Sequence, residues 1–399
     1  MNPVMKMYCR TFQTAFKVAI PVLPYRSPQI LHSVEEIPAL LAERNITRVM
    51  VVTDGFLHRS KKLEPMKNAL ENAGICCTIY DEVVPNPTIR NVEIARIRYI
   101  ENGCQALIGF GGGSAIDCAK AVGARIARPG LTIPRMKGIL KIIRPIPYLI
   151  AVPTTAGTGS EVTLATVITD DINYHKFPIS DFPLIPRAAV LDPEMTRSLP
   201  AHLTATTGMD ALTHAIEAYI GHSTTKETRA DALAACKLIA ENLEIAFENC
   251  NNMEARTNML KASFYAGRAF SKSYVGYCHA VAHSLGGQYH IPHGLANAVL
   301  LPYVLSAYGH SIDREALEIC QAMNIPATEE NAATRLVARI CRMNAHMGIP
   351  TKLDGIRTED IPHLAKMAAR EANPLYPVPK LMTTGELEQF YYDVMEESA

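Results

Sequence analysis

Forty consecutive residues, Ser273 to Ile312, contain no Asp, Glu, Lys or Arg yet carry His279, His283, His290, His293 and His310. An uncharged run of that length predicts burial, and a buried imidazole needs a hydrogen-bond partner or a metal ion. One such histidine reads as an ordinary core residue, whereas a cluster reads as a site. His279 and His283 stand four apart and share a helix face, while His293 lies in IPHG, a Pro/Gly turn that opens the next helix. Upstream, Asp210 and His214 are also four apart, in GMDALTHAIEAY. The flanking Ala211, Leu212, Ala215, Ile216 and Ala218 make that helix apolar, so an ionised Asp210 needs a compensating charge. A divalent cation held by one carboxylate and several imidazoles supplies it. That donor set suits a borderline ion, Fe(II) or Zn(II), over Mg(II) or Ca(II).

A second chemistry is written in glycine. GFGGGSAID (109–117) places three consecutive glycines where a strand, QALIGF, runs into a helix. Glycines let a backbone approach a phosphate, and a helix N-terminus offers unpaired N–H groups. The register is Gly109-Phe110-Gly111-Gly112-Gly113-Ser114, so serine replaces the third glycine of GxGxxG, and no Walker-type GxxxxGK[ST] occurs. PTTAGTGSEVT (153–163) follows the next strand and supplies five hydroxyls and two glycines. One such loop is equally a capped turn; two at neighbouring strand ends point to a nucleotide.

The elements that must position these groups fall into two halves. Between residues 46 and 200, short β-rich runs (46–54, 76–83, 105–110, 147–155) alternate with helical stretches (59–74, 89–102 and the one opening at GGGSAID). That alternation predicts a parallel sheet with its ligand at the C-terminal strand ends. After LDPEMTRSLP (191–200) strand-like runs stop, and nine helical stretches follow from HLTATTGMDALTHAIEAYIG (202–221) to 384–396. The expected division is an α/β nucleotide-binding domain over 1–197 and an all-helical metal and substrate domain over 198–399.

Charge narrows the partners. Lys and Arg total 39, as do Asp and Glu, and no basic cluster stands out, so neither nucleic acid nor a membrane surface is an expected partner. No run of eighteen apolar residues suggests a spanning helix, and the N-terminus lacks a signal peptide's apolar core and cleavage site. Ten cysteines without a CxxC pair or framework spacing read as reduced thiols of a cytoplasmic protein. Cys278 draws notice because it abuts the histidines.

With VVTDG, PNPT (85–88), GGGSAIDCAK, PTTAGTGSEVT, LDPEMTRSLP, GMDALTHAIEAY, CHAVAHSLGGQYHIPHGLANAVLLP and ANP (372–374) in this order, the chain resembles the iron-containing, group III alcohol dehydrogenases over nearly its whole length. It departs at VLPYRSPQIL (22–31), which replaces a Gly-containing turn, and in its first fifteen residues. The resemblance implies an α/β nucleotide-binding domain and a helical domain with a metal in the cleft between them, and a homodimer. It assigns the metal to Asp210, His214, His279 and His293 and places His283, the catalytic candidate, near the nicotinamide. It assigns NAD to Asp54, Asn86, Gly112, Gly113, Ser114, Asp117, Thr154, Thr155, Thr158, Thr163 and Lys176. His214 favours the alcohol dehydrogenase branch, because the related glycerol dehydrogenases lack that histidine and dehydroquinate synthases carry a glutamate in the ligand set. The expected ion is Fe(II), with zinc as the alternative.

The activity expected is reversible NAD-dependent alcohol oxidation, in which the metal stabilises the alkoxide while hydride leaves the carbinol carbon for C4 of the nicotinamide. Within the family, a polyol, diol or lactaldehyde-type reductase is the alternative. A metal-dependent hydrolase would use the same ligands but leaves GGGSAID and PTTAGTGSE without a role. A non-catalytic nucleotide-binding protein leaves the ligand set without one.

Overall fold

The computed structural model describes residues 1, 3–171 and 176–396. Two compact units emerge: Pro24–Leu199, and Met1–Leu23 together with Pro200–Ala399. The chain passes between them at Leu23–Pro24 and at Leu199–Pro200, so the first 23 residues group with the helical unit. They form a helix, α1 (Pro3–Ala19), whose Cys9 is fully buried. Arg10 donates to the carbonyls of Val378 and Pro379 at 2.7 and 2.8 Å, and Gln13 donates to Tyr376 O at 2.7 Å. Those acceptors stand more than 360 residues away in sequence, beyond the reach of any local pattern.

The α/β unit runs β1 (Gln29–Leu31), α2 (Ile37–Ala42), β2 (Arg48–Val52), α3 (Gly55–Arg59), α4 (Glu64–Asn72), β3 (Cys76–Tyr80), α5 (Ile89–Glu101), β4 (Ala106–Gly111), α6 (Gly113–Ala127), α7 (Ile133–Met136), β5 (Gly138–Ile139), β6 (Tyr148–Pro153), β7 (Ala165–Thr169), β8 (Lys176–Ser180) and β9 (Ala188–Val190). Six strands pair in the order β1-β9-β6-β4-β2-β3, every pair parallel. Both faces are covered, which explains why β2 and β4 read as continuous apolar runs. Met50, Val52 and Leu107 pack on one side with residues of α5 and α6, while Val49, Val51 and Ile108 pack on the other with α2 and α4. In the β4–β6 pair Gly111 lies opposite Pro153, so the two Gly/Thr-rich loops leave the sheet side by side. A smaller sheet, β5-β8-β7, follows. The alternation gave no sign of it, because its strands are short and half-exposed.

The helical unit contains α8 (Ala201–Ile220), α9 (Lys226–Glu248), α10 (Met253–Ser273), α11 (Tyr277–Tyr289), α12 (His293–Tyr308), α13 (Asp313–Ala322), α14 (Ala332–His346), α15 (Ile361–Ala372) and α16 (Thr384–Val394). α8 packs against α9, α10 and α12 and is buried along most of its length. This suits its weak amphipathicity, since a helix surrounded by neighbours needs no polar face. α11 packs on α12 and α15. Among the described residues no helix is long and apolar enough to cross a membrane. All ten cysteines are free thiols, six of them buried.

Candidate metal centre and cofactor loops

Asp210 and His214 project together from α8 because they are one turn apart. His279 comes from the first turn of α11, and His293 from the first residue of α12. One donor atom from each of the four lies within 4.8 Å of every other. The His214 and His279 rings stack at 4.3 Å between centroids, and those of His279 and His293 are 5.4 Å apart. Three imidazoles and a carboxylate crowded this closely in an apolar setting require a cation or a proton to balance them. Asp210 is 2 % exposed, and His279 is 1 % exposed. Burial, and then the neighbouring His214, His293 and His283, hold the His279 imidazole well below its usual pKa, so it is neutral and able to ligate.

Two residues that the spacing argument did not single out complete this arrangement. Glu217, three residues after His214 on α8, is 3 % exposed. Its carboxylate accepts the backbone N–H groups of Gly276 and Cys278, each at 2.8 Å, and lies 2.6 Å from His279 Nδ1. Burial raises its pKa to about 7 against these hydrogen bonds. With Nδ1 turned to Glu217, the His279 Nε2 is buried and has no hydrogen-bond partner. That is the arrangement in which a carboxylate orients a metal-bound histidine. Gly276 makes room for it, since a Cβ there would lie 2.6 Å from Glu217 Oε1. Asn297 donates to Asp210 Oδ1 at 2.7 Å and also lies 3.1 Å from His293 Nε2. Glu217 was visible in GMDALTHAIEAY, but only the approach of α11 to α8 reveals what it touches.

His283 sits apart from the four. Its ring stacks on His293 at 5.1 Å between centroids and lies 6.0 Å from His279. Its Nδ1 is 2.6 Å from Glu371 Oε1, and Tyr376 OH donates to the same oxygen at 2.6 Å. Burial raises the Glu371 carboxyl, but His283 and Tyr376 outweigh it and the net pKa is lowered. The other histidines of the uncharged run do not join the cluster. His290 is exposed at the C-terminus of α11 with φ of 58°, and His310 is exposed and pairs with Asp313. Uncharged sequence therefore did not mean uniform burial: turns at 290 and 309 bring these two to the surface. Cys278 is buried and donates to Asn297 O, and burial lifts its pKa far above the range of a reactive thiol.

In the α/β unit the candidate cofactor residues divide into two groups. Gly112, Gly113, Ser114, Thr155 and Thr158 keep accessible surface at the N-terminus of α6. A Cβ on Gly113 would lie 3.0 Å from the Thr158 side chain, so these loops touch, and a residue larger than glycine would fill the space between them. Asn86 is exposed with φ of 59°, and its N–H donates to Ser114 Oγ at 3.2 Å. Asp54 caps α3, accepting from Leu57 N–H at 2.9 Å, while its second oxygen lies 3.9 Å from the Cβ position of Gly111. Lys176 stands opposite Thr169 in the small sheet, and burial lowers its pKa. This glycine-edged turn at the start of a 15-residue helix fits a dinucleotide phosphate.

The remaining candidates are engaged in hydrogen bonds within the unit. Thr154 is buried, with its N–H donated to Gly111 O at 3.0 Å. Asp117 Oδ2 accepts Val167 N–H at 2.8 Å, and the buried Thr163 Oγ1 accepts from Lys120 Nζ at 2.9 Å. Neighbouring Glu161 is 1 % exposed, and burial raises its pKa to about 7 from the usual 4.5. The unfolded chain therefore ionises first. The folded state loses stability as pH rises between those two values, by on the order of 3 kcal/mol in all. Glu161→Gln should raise the melting temperature over wild type at about pH 8, with the gain much reduced at about pH 5. An equal difference at both pH values would contradict this origin.

The profile for iron-containing alcohol dehydrogenase matches residues 29–193, and that for the C-terminal part of the Fe-containing alcohol dehydrogenase family matches 204–395. The chain belongs to the iron-containing alcohol dehydrogenase family. It is 38% identical over 365 residues to 1,3-propanediol dehydrogenase of Klebsiella pneumoniae, covering 90% of this chain and 93% of that one. Its identity to the NAD-dependent methanol dehydrogenase of Bacillus methanolicus is 36% over 341 residues, 84% of this chain and 89% of that one. Its fold matches the crystal structure of sulfoacetaldehyde reductase from Bifidobacterium kashiwanohense in complex with NAD+, with a TM-score of 0.84 and 28% identity over 94% of this chain and 99% of that chain. Membership in the iron-containing alcohol dehydrogenases makes this chain an oxidoreductase of alcohols and sets aside the hydrolase and the non-catalytic reading.

Proposed function

We propose that this iron-containing alcohol dehydrogenase uses NAD and Fe(II), with zinc as the alternative ion, to interconvert short primary alcohols or diols and their aldehydes. The observation that carries the metal assignment is the convergence of Asp210, His214, His279 and His293 within 4.8 Å, with the His279 Nε2 buried and without a hydrogen bond. The inclusion of diols draws on the similarity to 1,3-propanediol dehydrogenase, and NAD on the similarity to an NAD-dependent methanol dehydrogenase and to a reductase crystallised with NAD+.

When bound, the ion supplies a Lewis acid that favours loss of the alcohol proton, and NAD supplies the hydride acceptor. The chain's own part is positioning. Glu217 and Asn297 orient His279 and Asp210. Gly112, Gly113, Ser114, Thr155 and Thr158 are assigned to the cofactor phosphates. Glu371 and Tyr376 hold the His283 ring by Nδ1, and Nε2 is the nitrogen assigned to proton exchange. A cytoplasmic homodimer is the accompanying assignment, and light scattering of the purified protein tests the oligomer.

Purified protein supplied with Fe(II), NAD and a panel of short alcohols and diols should develop nicotinamide absorbance. No turnover with any of them would defeat the proposal. NAD should be preferred over NADP, because the Asp54 oxygen beside Gly111 can accept from a ribose hydroxyl and repels a 2′-phosphate. Asp54→Gly should relax that preference, with a cost of only about a few tenths of a kcal/mol in stability for the lost α3 cap, since glycine is itself tolerated at that position. Comparable kcat/KM for both cofactors in the wild type would refute the assignment.

A further inference from the structure

Lys120 is fully buried in α6. An ammonium has three protons to donate and nothing with which to accept. Here each has an acceptor: Thr163 O at 2.8 Å, Thr163 Oγ1 at 2.9 Å and Ala165 O at 2.8 Å. Its charge is offset by nearby Asp117 and Glu161, although burial still lowers its pKa to about 8. One turn earlier on α6, Asp117 takes Val167 N–H at 2.8 Å through its carboxylate and the Thr166 hydroxyl at 2.8 Å through its carbonyl. A seam of five hydrogen bonds thus ties α6 to residues 163–167, where the loop 153–163 becomes β7.

The seam continues into the third candidate cofactor loop. At the other end of β7, Thr169 donates its N–H to Pro87 O at 2.9 Å, next to Asn86. Asn86 in turn donates to Ser114 Oγ on the first turn of α6. The loops at 85–88, 111–114 and 153–163 are thereby closed into one hydrogen-bonded frame. Neither Lys120 nor Thr163 is at the accessible rim of that frame.

We propose that Lys120 is a positioning residue for cofactor binding: its ammonium pins the Thr-rich loop to α6, so that Thr155 and Thr158 are held against the Gly112–Ser114 turn before NAD arrives, and Thr163 serves as its anchor instead of touching the cofactor. The proposal rests on the reading that these loops bind the dinucleotide. A frame assembled in advance spares the cofactor the entropy of ordering it. Losing it weakens binding of ground state and transition state alike, which raises KM and leaves kcat nearly unchanged.

The test uses metal-loaded full-length protein and titrates NADH by nicotinamide fluorescence, alongside kinetics and metal analysis. Lys120→Met should keep its metal, weaken NADH binding by about tenfold or more, raise the KM for NAD in parallel and leave kcat at saturation within about twofold. Thr163→Val should weaken NADH binding severalfold, and Thr163→Ser, which keeps the hydroxyl, should restore it. That pair decides the matter if Lys120→Met does not fold. A lowered melting temperature with unchanged NADH affinity in the folded variants would overturn the proposal by making the seam merely structural. Failure of the wild type to bind NADH would instead overturn the cofactor reading on which it stands.

Discussion

Asp210→Ala is expected to abolish metal retention and turnover together. The carboxylate is the one anionic member of the four-residue cluster and is 2 % exposed. Removing it leaves three imidazoles around a dication without the one carboxylate of the donor set that offsets its charge. Metal affinity should fall by more than the roughly 10–100-fold typical of losing an outer partner of a ligand. Metal analysis after dialysis and a turnover assay with re-added ferrous salt check this, and full activity in chelator-stripped wild type would overturn it. With Fe(II) as the resident ion, wild-type activity should decay in air and return with fresh ferrous salt under reducing conditions. Indifference to oxygen would point to zinc.

His279→Ala and His283→Ala should fail in different ways, although the two residues share one face of α11. His279 lies inside the donor cluster with Glu217 on its far nitrogen, whereas His283 is held by Glu371 outside it. His279→Ala should lose metal and activity in step. His283→Ala should keep near-stoichiometric metal while kcat drops by about 10²-fold, the scale of a lost proton-transfer group, or NAD binding weakens. Glu217→Gln should fall between these, binding metal roughly 10–100-fold more weakly because a neutral amide holds the imidazole less firmly. Loss of metal from His283→Ala but not from His279→Ala would reverse the assignment. A lower melting temperature of His283→Ala with unaltered kinetics would reduce His283 to a packing residue.

Much of the architecture was legible because it is encoded locally. The buried strands β2, β4 and β6 are short apolar runs, the last two ending at glycine and at Pro-Thr, and all nine C-terminal helices stand within a few residues of the helical stretches expected of them. His279 and His293 drew notice for a similar reason, because a charge-free run crowded with imidazoles is costly to bury unless something binds them, and Asp210 and His214 through their four-residue spacing on an apolar helix; the choice of these four as the ligand set came from the family resemblance. The small sheet β5-β8-β7 was not legible, since β5 is only two residues long and β8 carries Pro178 at its centre, which reads against a strand. The placement of α1 on the helical unit was not legible either, because Arg10 and Gln13 reach carbonyls at the opposite end of the chain.

By itself, then, the order of residues determined which side chains are candidates for chemistry and on which helix or strand end each stands, because period and turn signals act over a few positions. Only the tertiary structure decided what those side chains touch. It set Glu217 on His279 and Glu371 on His283, sent His290 and His310 to the surface, and divided the candidate cofactor residues between the accessible Gly112–Ser114 turn and the hydrogen-bonded seam in which Asp117 and Thr163 meet Val167 and Lys120. Each of these contacts joins residues from different elements. Its partner is chosen by how those elements pack, a choice made by the summed burial of the whole core and invisible in any one segment.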